Sequence, residues 1–534
     1  MLRRIAFAIA LTSAATSCAP KEDWTSPAYI EHRMRSADPR AFSELAHLPA
    51  EAQATLVPTL IETYNSGVFQ EESLRALVSA ADPRAKEVFL AALQRPDDGL
   101  AGLAARGLAA IADSASAEAV AQRLNTVTQA SAYPAFLDAL AAIPSPQAVE
   151  VVASVMMRPV ERIGGINTVR KGCGILGAVE TASPAVIDAL VFSLVNFEPQ
   201  PFQDALNDCE LALLAHGDAG VPKLTEAFRG EVPAINTRLV GVQYLPVVGQ
   251  LRAAAVLSHM TTPAAQAPLL AWLRTRQEIP VAQIQQMTPE QASQWYDFHG
   301  QMFTAIVQGI AYSRADDAVA ALRGLESTEG EGSLLMNFQP WFQLSAGSEF
   351  GLRTVVHEAL FKVGTDADRE LLWQRAESGV LGTASGAFFN NELRKNALHY
   401  VGRTARPGEL ARFLTIQAAQ PTPVEFIMHV GYFALAERCA DDIACYVTAL
   451  SDPTAVLESE AVTTALAGLD EASRNTATGG IAQNVRIGAI WQLTLRFAGQ
   501  AAATDALFAN LSNASVQARF ETAEALRYAQ PLPS

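Results

Sequence analysis

The chain has 534 residues and a formal charge of −16, and it is 50% hydrophobic, 7% aromatic and 18% charged. Such an excess of carboxylates repels nucleic-acid phosphates and anionic lipid headgroups, which excludes nucleic acid as a partner. Abundant alanine with few aromatic residues favours close-packed helices over strands. The first element in chain order is a leader. Arg3 and Arg4 precede the uncharged stretch Ile5 to Ala15, followed by a small-residue exit, the plan of an export signal over residues 1–17. Its apolar core is shorter than the ~20 residues a membrane-crossing helix needs. Every later apolar run is broken by charges or helix breakers, so the expectation is an exported, otherwise soluble chain.

The exit Ala15, Thr16, Ser17, Cys18 resembles the bacterial lipoprotein signal, in which the cysteine is acylated and becomes the new N-terminus. The resemblance implies a lipid anchor at Cys18, with residues 18–35 as lipidated cysteine and polar tether. Acyl chains contribute ~0.8 kcal/mol per buried methylene, so several on one residue hold firmly. Ala19 stands where the inner-membrane sorting rule has Asp, which implies an outer-membrane location in the cell envelope, facing the periplasm or the surface. Ala15 replaces the usual Leu, and Ala15 with Ser17 also satisfies the small-x-small rule of ordinary signal peptidase. The alternative is therefore a soluble periplasmic protein.

From residue 36 to 530 the chain repeats itself. "LAARGLAAIADSASAEAVAQRL" (103–124), "ILGAVETASPAVIDALVFSL" (175–194), "LALLAHGDAGVPKLTEAF" (211–228) and "FALAERCADDIACYVTAL" (433–450) each carry an apolar helical stripe, a polar break and a second stripe. "ARFETAEALRYAQ" (518–530) supplies one helix only. The breaks announce helix starts. Asp38-Pro39, Asp82-Pro83 and Asp452-Pro453 place a capping carboxylate before a proline whose missing N–H costs nothing there. Ser145-Pro146, Ser183-Pro184, Thr262-Pro263, Thr288-Pro289 and Thr422-Pro423 repeat the device, and Glu425 completes a capping box with Thr422. Apolar-Arg steps recur at Leu74-Arg75, Val169-Arg170, Leu251-Arg252, Leu352-Arg353, Leu393-Arg394 and Val485-Arg486.

These turns and steps resemble HEAT-like repeats of the phycobilin-lyase type. The resemblance implies an all-α fold, a right-handed alpha-solenoid of about a dozen helix pairs running continuously over 36–530 without independent domains. Two insertions interrupt it, and insertions in such arrays often carry binding. Residues 326–351 lack a helical period and hold Phe338, Trp341 and Phe342; residues 378–391 hold Phe388, Phe389 and Asn390. Long loops usually fold their rings back over exposed helix ends, and that is the first reading; the alternative, since the two segments lie one repeat apart, is one aromatic lip that carries the candidate binding residues. Trp295, Tyr296 and Phe298 follow the capped start at Thr288 and read as a helical packing face.

No catalytic constellation emerges. The eight histidines are scattered singly. His357-Glu358 opens like a zinc-protease helix, but position 361 is Phe where a second histidine is required. Asp316-Asp317 and Asp441-Asp442 sit at helix starts, where carboxylates suit the dipole. His399 and His429 read as packed or surface residues. No catalytic residue, metal or cofactor is expected. Lipidation of Cys18 leaves four cysteines in an oxidising compartment. Cys439 and Cys445 flank one helix turn and suit a clip. Cys173 and Cys209 hold matching places on successive helices, but helices stack ~8–10 Å apart and a disulfide needs Cα atoms within ~7 Å. That bridge requires an unusually close approach, with two buried thiols as the alternative.

The resulting functional expectation is a non-enzymatic scaffold in the envelope that binds a protein or peptide partner and meets the membrane only through its lipid. The alternatives are a lipoprotein that uses the lip for a glycan or small apolar molecule, and an accessory or chaperone-like factor analogous to bilin lyases.

Overall fold

The computed structural model describes residues 22–327, 330, 332–342, 348–363, 365–379, 386–419 and 423–529. Among these the chain is helical almost throughout, with one antiparallel pairing of two-residue strands, Glu198–Pro199 and Phe202–Gln203. No described helix is long and apolar enough to cross a membrane.

Several helices begin where a side chain satisfies a free N–H group. Asp38, Asp82 and Asp452 accept from the backbone N–H of Arg40, Arg84 and Thr454. Ser145, Ser183 and Thr262 accept from the third residue onward and open the helices Pro146–Met156, Pro184–Ser193 and Pro263–Arg274. Thr288 and Gln291 form a reciprocal capping box at the head of Pro289–Ser313. The corresponding box at Thr422 lies outside the described residues.

The chain divides into two compact units, 1–223 and 224–534, each described by itself. In the first, Gln70–Ala80, Asp98–Ala110, Tyr133–Ala142, Ile166–Gly177 and Leu206–His216 stack on one another in that order. The intervening Ala117–Asn125, Pro146–Met156 and Pro184–Ser193 form a second row beside them. Two rows of alternate helices, each packed on its own kind and on its pair, make an α-solenoid. The second unit repeats the pattern with Val247–His259, Pro289–Ser313, Ser348–Val363, Gly386–Arg403, Glu471–Leu495 and Val516–Leu526 as successive neighbours. Leucine and alanine fill the first core, including Leu74, Leu108, Phe136 and Leu140, whereas the second is richer in rings, with Phe361, Trp373, Phe413, Phe433 and Trp491 all buried.

The expected insertions are more ordered than their glycine content implies. Residues 334–342 form a helix, and Ser348–Val363 begins inside the segment read as a loop. The reason is that Leu334, Phe338 and Trp341 recur at helical spacing and all three are buried. Gly386–Arg403 likewise begins within the second insertion and carries Phe388, Phe389 and Asn390 on its first turns.

Candidate functional site

The rings form two separate groups rather than the single aromatic lip of the alternative reading. Phe338 is fully buried and packs edge-on against Phe303 at 5.0 Å and Trp341 at 4.9 Å, with Trp272 at 5.5 Å. Trp341 reaches His299 at 5.8 Å, and His299 lies 3.7 Å from the Trp295 ring. The Asn337 amide donates to the Leu273 carbonyl at 2.6 Å, while the Asn337 carbonyl accepts from the Gln277 N–H at 2.8 Å. The inserted helix is thus a fastened part of the core. Phe388, in contrast, is 67% exposed, and among the described residues its ring meets that of Phe389, which reaches Phe350 at 5.7 Å. Asn390 is half-buried beside Gly379, where a Cβ would meet its Oδ1 at 2.1 Å. Among the described residues no ring contact joins the two groups, and the Phe342 side chain lies outside them. An amphipathic helix buried its rings where a loop would have displayed them.

His357, the first half of the rejected zinc motif, belongs to a buried ion network. Arg353 donates to Glu326 Oε2 at 3.2 Å and to Glu349 Oε1 at 2.9 Å, and Arg375 also pairs with Glu326. His357 Nε2 lies 3.0 Å from Glu326 Oε2 without hydrogen-bond alignment, so that contact is electrostatic. Burial alone would raise the Glu326 carboxyl, but His357, Arg353 and Arg375 outweigh it and hold it at about 2. Glu349, Arg353 and His357 recur at four-residue spacing, which places them on one face of Ser348–Val363 and matches no catalytic motif. Among the described residues no group of three or more His, Cys, Asp or Glu is disposed to hold a metal ion.

The cysteines lie closer than helix stacking implies. Cys173 and Cys209 have Sγ atoms 2.06 Å apart and Cα atoms 4.9 Å apart. Their helices approach because Gly177 faces Ala212: a Cβ on that glycine would sit 2.7 Å from the Ala212 Cβ. The expected 8–10 Å spacing therefore does not hold at this point. Cys439 and Cys445 have Sγ atoms 1.98 Å apart across the turn between Val430–Cys439 and Ile443–Ser451, where Asp442 caps the second helix. Cys18 lies outside the described residues.

A groove of about 720 Å³, which no sequence motif marks, lies in the first unit and has a volume typical of ligand-binding clefts. It lies where the turns of two successive helix pairs meet. Leu137, Leu140, Val149, Ile175 and Val186 supply apolar lining, and the Lys171–Asp138 ion pair closes one side. Glu150 and Glu180 stand on its edge, both exposed and, among the described residues, without an ion-pair partner. Gly174 opens the floor, since a Cβ added there meets nothing within 4 Å. In sequence Gly174 reads merely as a weak point in a helix; in space it is a missing side chain that leaves room.

No protein-family model matches the chain, and none of the curated proteins is similar to it. Among solved structures, yeast importin-beta overlaps 94% of this chain and 77% of its own at 14% identity, with a TM-score of 0.27. A homology model of the full-length AP-3 complex overlaps 99% of this chain and 89% of its own at 11% identity, with a TM-score of 0.25. The α-solenoid assignment rests on the two rows of stacked helices and owes nothing to these loose overlaps.

Proposed function

We propose that the protein is a non-enzymatic binding scaffold, exported and held in the cell envelope through Cys18, whose first unit receives a basic segment of a partner protein. The observation that carries this reading is the groove around Gly174: an apolar floor edged by two carboxylates that have no ion-pair partner among the described residues, in a chain of charge −16. The complementary partner presents two or three apolar side chains flanked by Lys or Arg, the charges steering encounter and the apolar contacts supplying affinity. Export is supported by the two cysteine pairs at bonding distance, a state that persists in oxidising compartments. The small-ligand reading of the aromatic lip loses its support, because Phe338 and Trp341 are core residues.

A labelled leucine–lysine amphipathic peptide, with its lysine-to-glutamate counterpart as control, tests the groove. The basic peptide is expected to bind and the acidic one not. Gly174→Leu fills the floor without a clash at Cβ and should weaken binding by roughly tenfold, as the loss of one well-buried contact does. Unchanged binding in that variant overturns the groove as the site. The intact mass of the mature N-terminus tests location: triacylated Cys18 is expected, a free Cys18 gives the soluble periplasmic form, and retention of residues 1–17 overturns export.

A further inference from the structure

A second cavity, of about 320 Å³, lies within residues 360–496, well away in sequence from the groove of the first unit. Its floor is apolar. Leu495 and Pro407 supply its accessible apolar surface, backed by the buried Leu360, Leu372 and the Phe361–Trp491 pair, whose rings stand edge to face at 4.6 Å. Its rim is cationic, with Arg369, Arg406 and Arg496 all lining it and no carboxylate among the lining residues. In a chain with 55 acidic against 39 basic side chains, three guanidinium groups line one cavity while the carboxylates that pair with them stand outside its lining.

The three arginines are committed to different degrees. Arg369 is the most engaged: its Nε donates to the Thr404 carbonyl at 3.1 Å and hydroxyl at 3.2 Å, and both its Nη atoms pair with Glu409. This bidentate pair fixes its guanidinium in the wall. Arg406 spends one Nη on Asp366, and Arg496 spends one Nη on Asp441 and the other on the Ala440 carbonyl at 2.9 Å. Those two carboxylates are 79% and 88% exposed. Pairs this open to water contribute little, because solvent screens them and both side chains must be ordered to make them. An anion inside the cavity meets the same guanidinium groups over a dry apolar floor, where a charge-assisted hydrogen bond is stronger. The guanidinium fork matches the planar carboxylate group, and the apolar surface of Leu495 and Pro407 asks for a hydrocarbon body behind it.

We propose that this cavity binds a small amphiphilic carboxylate, its hydrocarbon part against Leu495 and Pro407 and its charge on Arg406 and Arg496, which leave Asp366 and Asp441 to meet it. The site shares no residue with the groove of the first unit, so its test leaves that reading untouched.

Isothermal titration of the whole protein with octanoate, octanol and octylamine tests the assignment. Octanoate is expected to bind at one site per chain, octanol about tenfold more weakly and octylamine not at all, the margin being that of one or two charge-assisted hydrogen bonds. The variant Arg406→Gln/Arg496→Gln should lose about tenfold in octanoate affinity while octanol binding stays as in the parent. Asp366→Asn/Asp441→Asn, altered only at exposed positions, should bind octanoate several-fold more tightly because the arginines are released. Equal binding of octanoate and octanol overturns the proposal. So does parental octanoate affinity in the glutamine variant, or an asparagine variant no tighter than the parent.

Discussion

Glu326 shows what a single buried charge commits the chain to. It neutralises Arg353 and Arg375 where water cannot, and both it and Arg353 are essentially inaccessible. Removing one partner strands the other, so Glu326→Ala is expected to cost ~3–5 kcal/mol in urea unfolding, far beyond the ~0–1 kcal/mol of an exposed pair such as Arg75–Glu71. The same contrast limits what the sequence revealed. Arg75 and Arg353 occupy the same apolar-Arg pattern, yet one is exposed and the other buried, because burial is decided by neighbours far along the chain. The caps at Asp82, Ser145 and Thr262 were legible for the opposite reason: a cap needs only the next few residues. Histidines give the pH dependence. Burial is the main cause that pushes His429 down to about 4 and His399 well below its ordinary value. A depressed folded value means the unfolded chain takes up protons first, so the stability is complete above pH ~6.5 and is lost as pH falls toward ~4. The Tm is expected to drop steeply across that window, by up to ~3 kcal/mol of stability for His429 alone, and His429→Gln should flatten the slope.

At the level of elements, the informative case is Leu334–Phe342. Its glycine-rich approach obscured a helix of nine residues, since short helices depend on packing more than on propensity. The rings that looked like a display surface are the packing. Trp341→Ala should therefore cost ~3–5 kcal/mol, whereas Phe388→Ala on the exposed edge should stay within ~0.5 kcal/mol. Thermal unfolding of the two variants separates these outcomes, and equal losses would contradict the placement of Trp341. The groove was hidden from sequence by the same long-range logic. Asp138 and Lys171, which close one side of it, stand 33 positions apart, and the room at Gly174 exists only once two helix pairs are stacked.

For the molecule as a whole, the helix pairs and the all-α class were readable from periodicity and turn chemistry, because each repeat announces its own start. The division near residue 223 was not, as it falls inside the helix Val221–Phe228 rather than at a linker. Net charge acts at this scale too. A basic partner should associate more slowly as salt rises, several-fold between low and high ionic strength, with the dissociation rate much less affected. A salt-independent association rate would show that the carboxylates do not steer. Stacked pairs that touch only their neighbours open one after another from a free end, like a zip. The Cys173–Cys209 bond ties two successive pairs and closes a 36-residue span, whereas Cys439–Cys445 spans six residues within one pair. The first is thus a covalent rung across the zip, worth ~4 kcal/mol by loop closure. Fraying that starts at the N-terminal pairs should halt at that rung, and amide exchange over residues 166–216 should proceed as one slow block that breaks up on reduction.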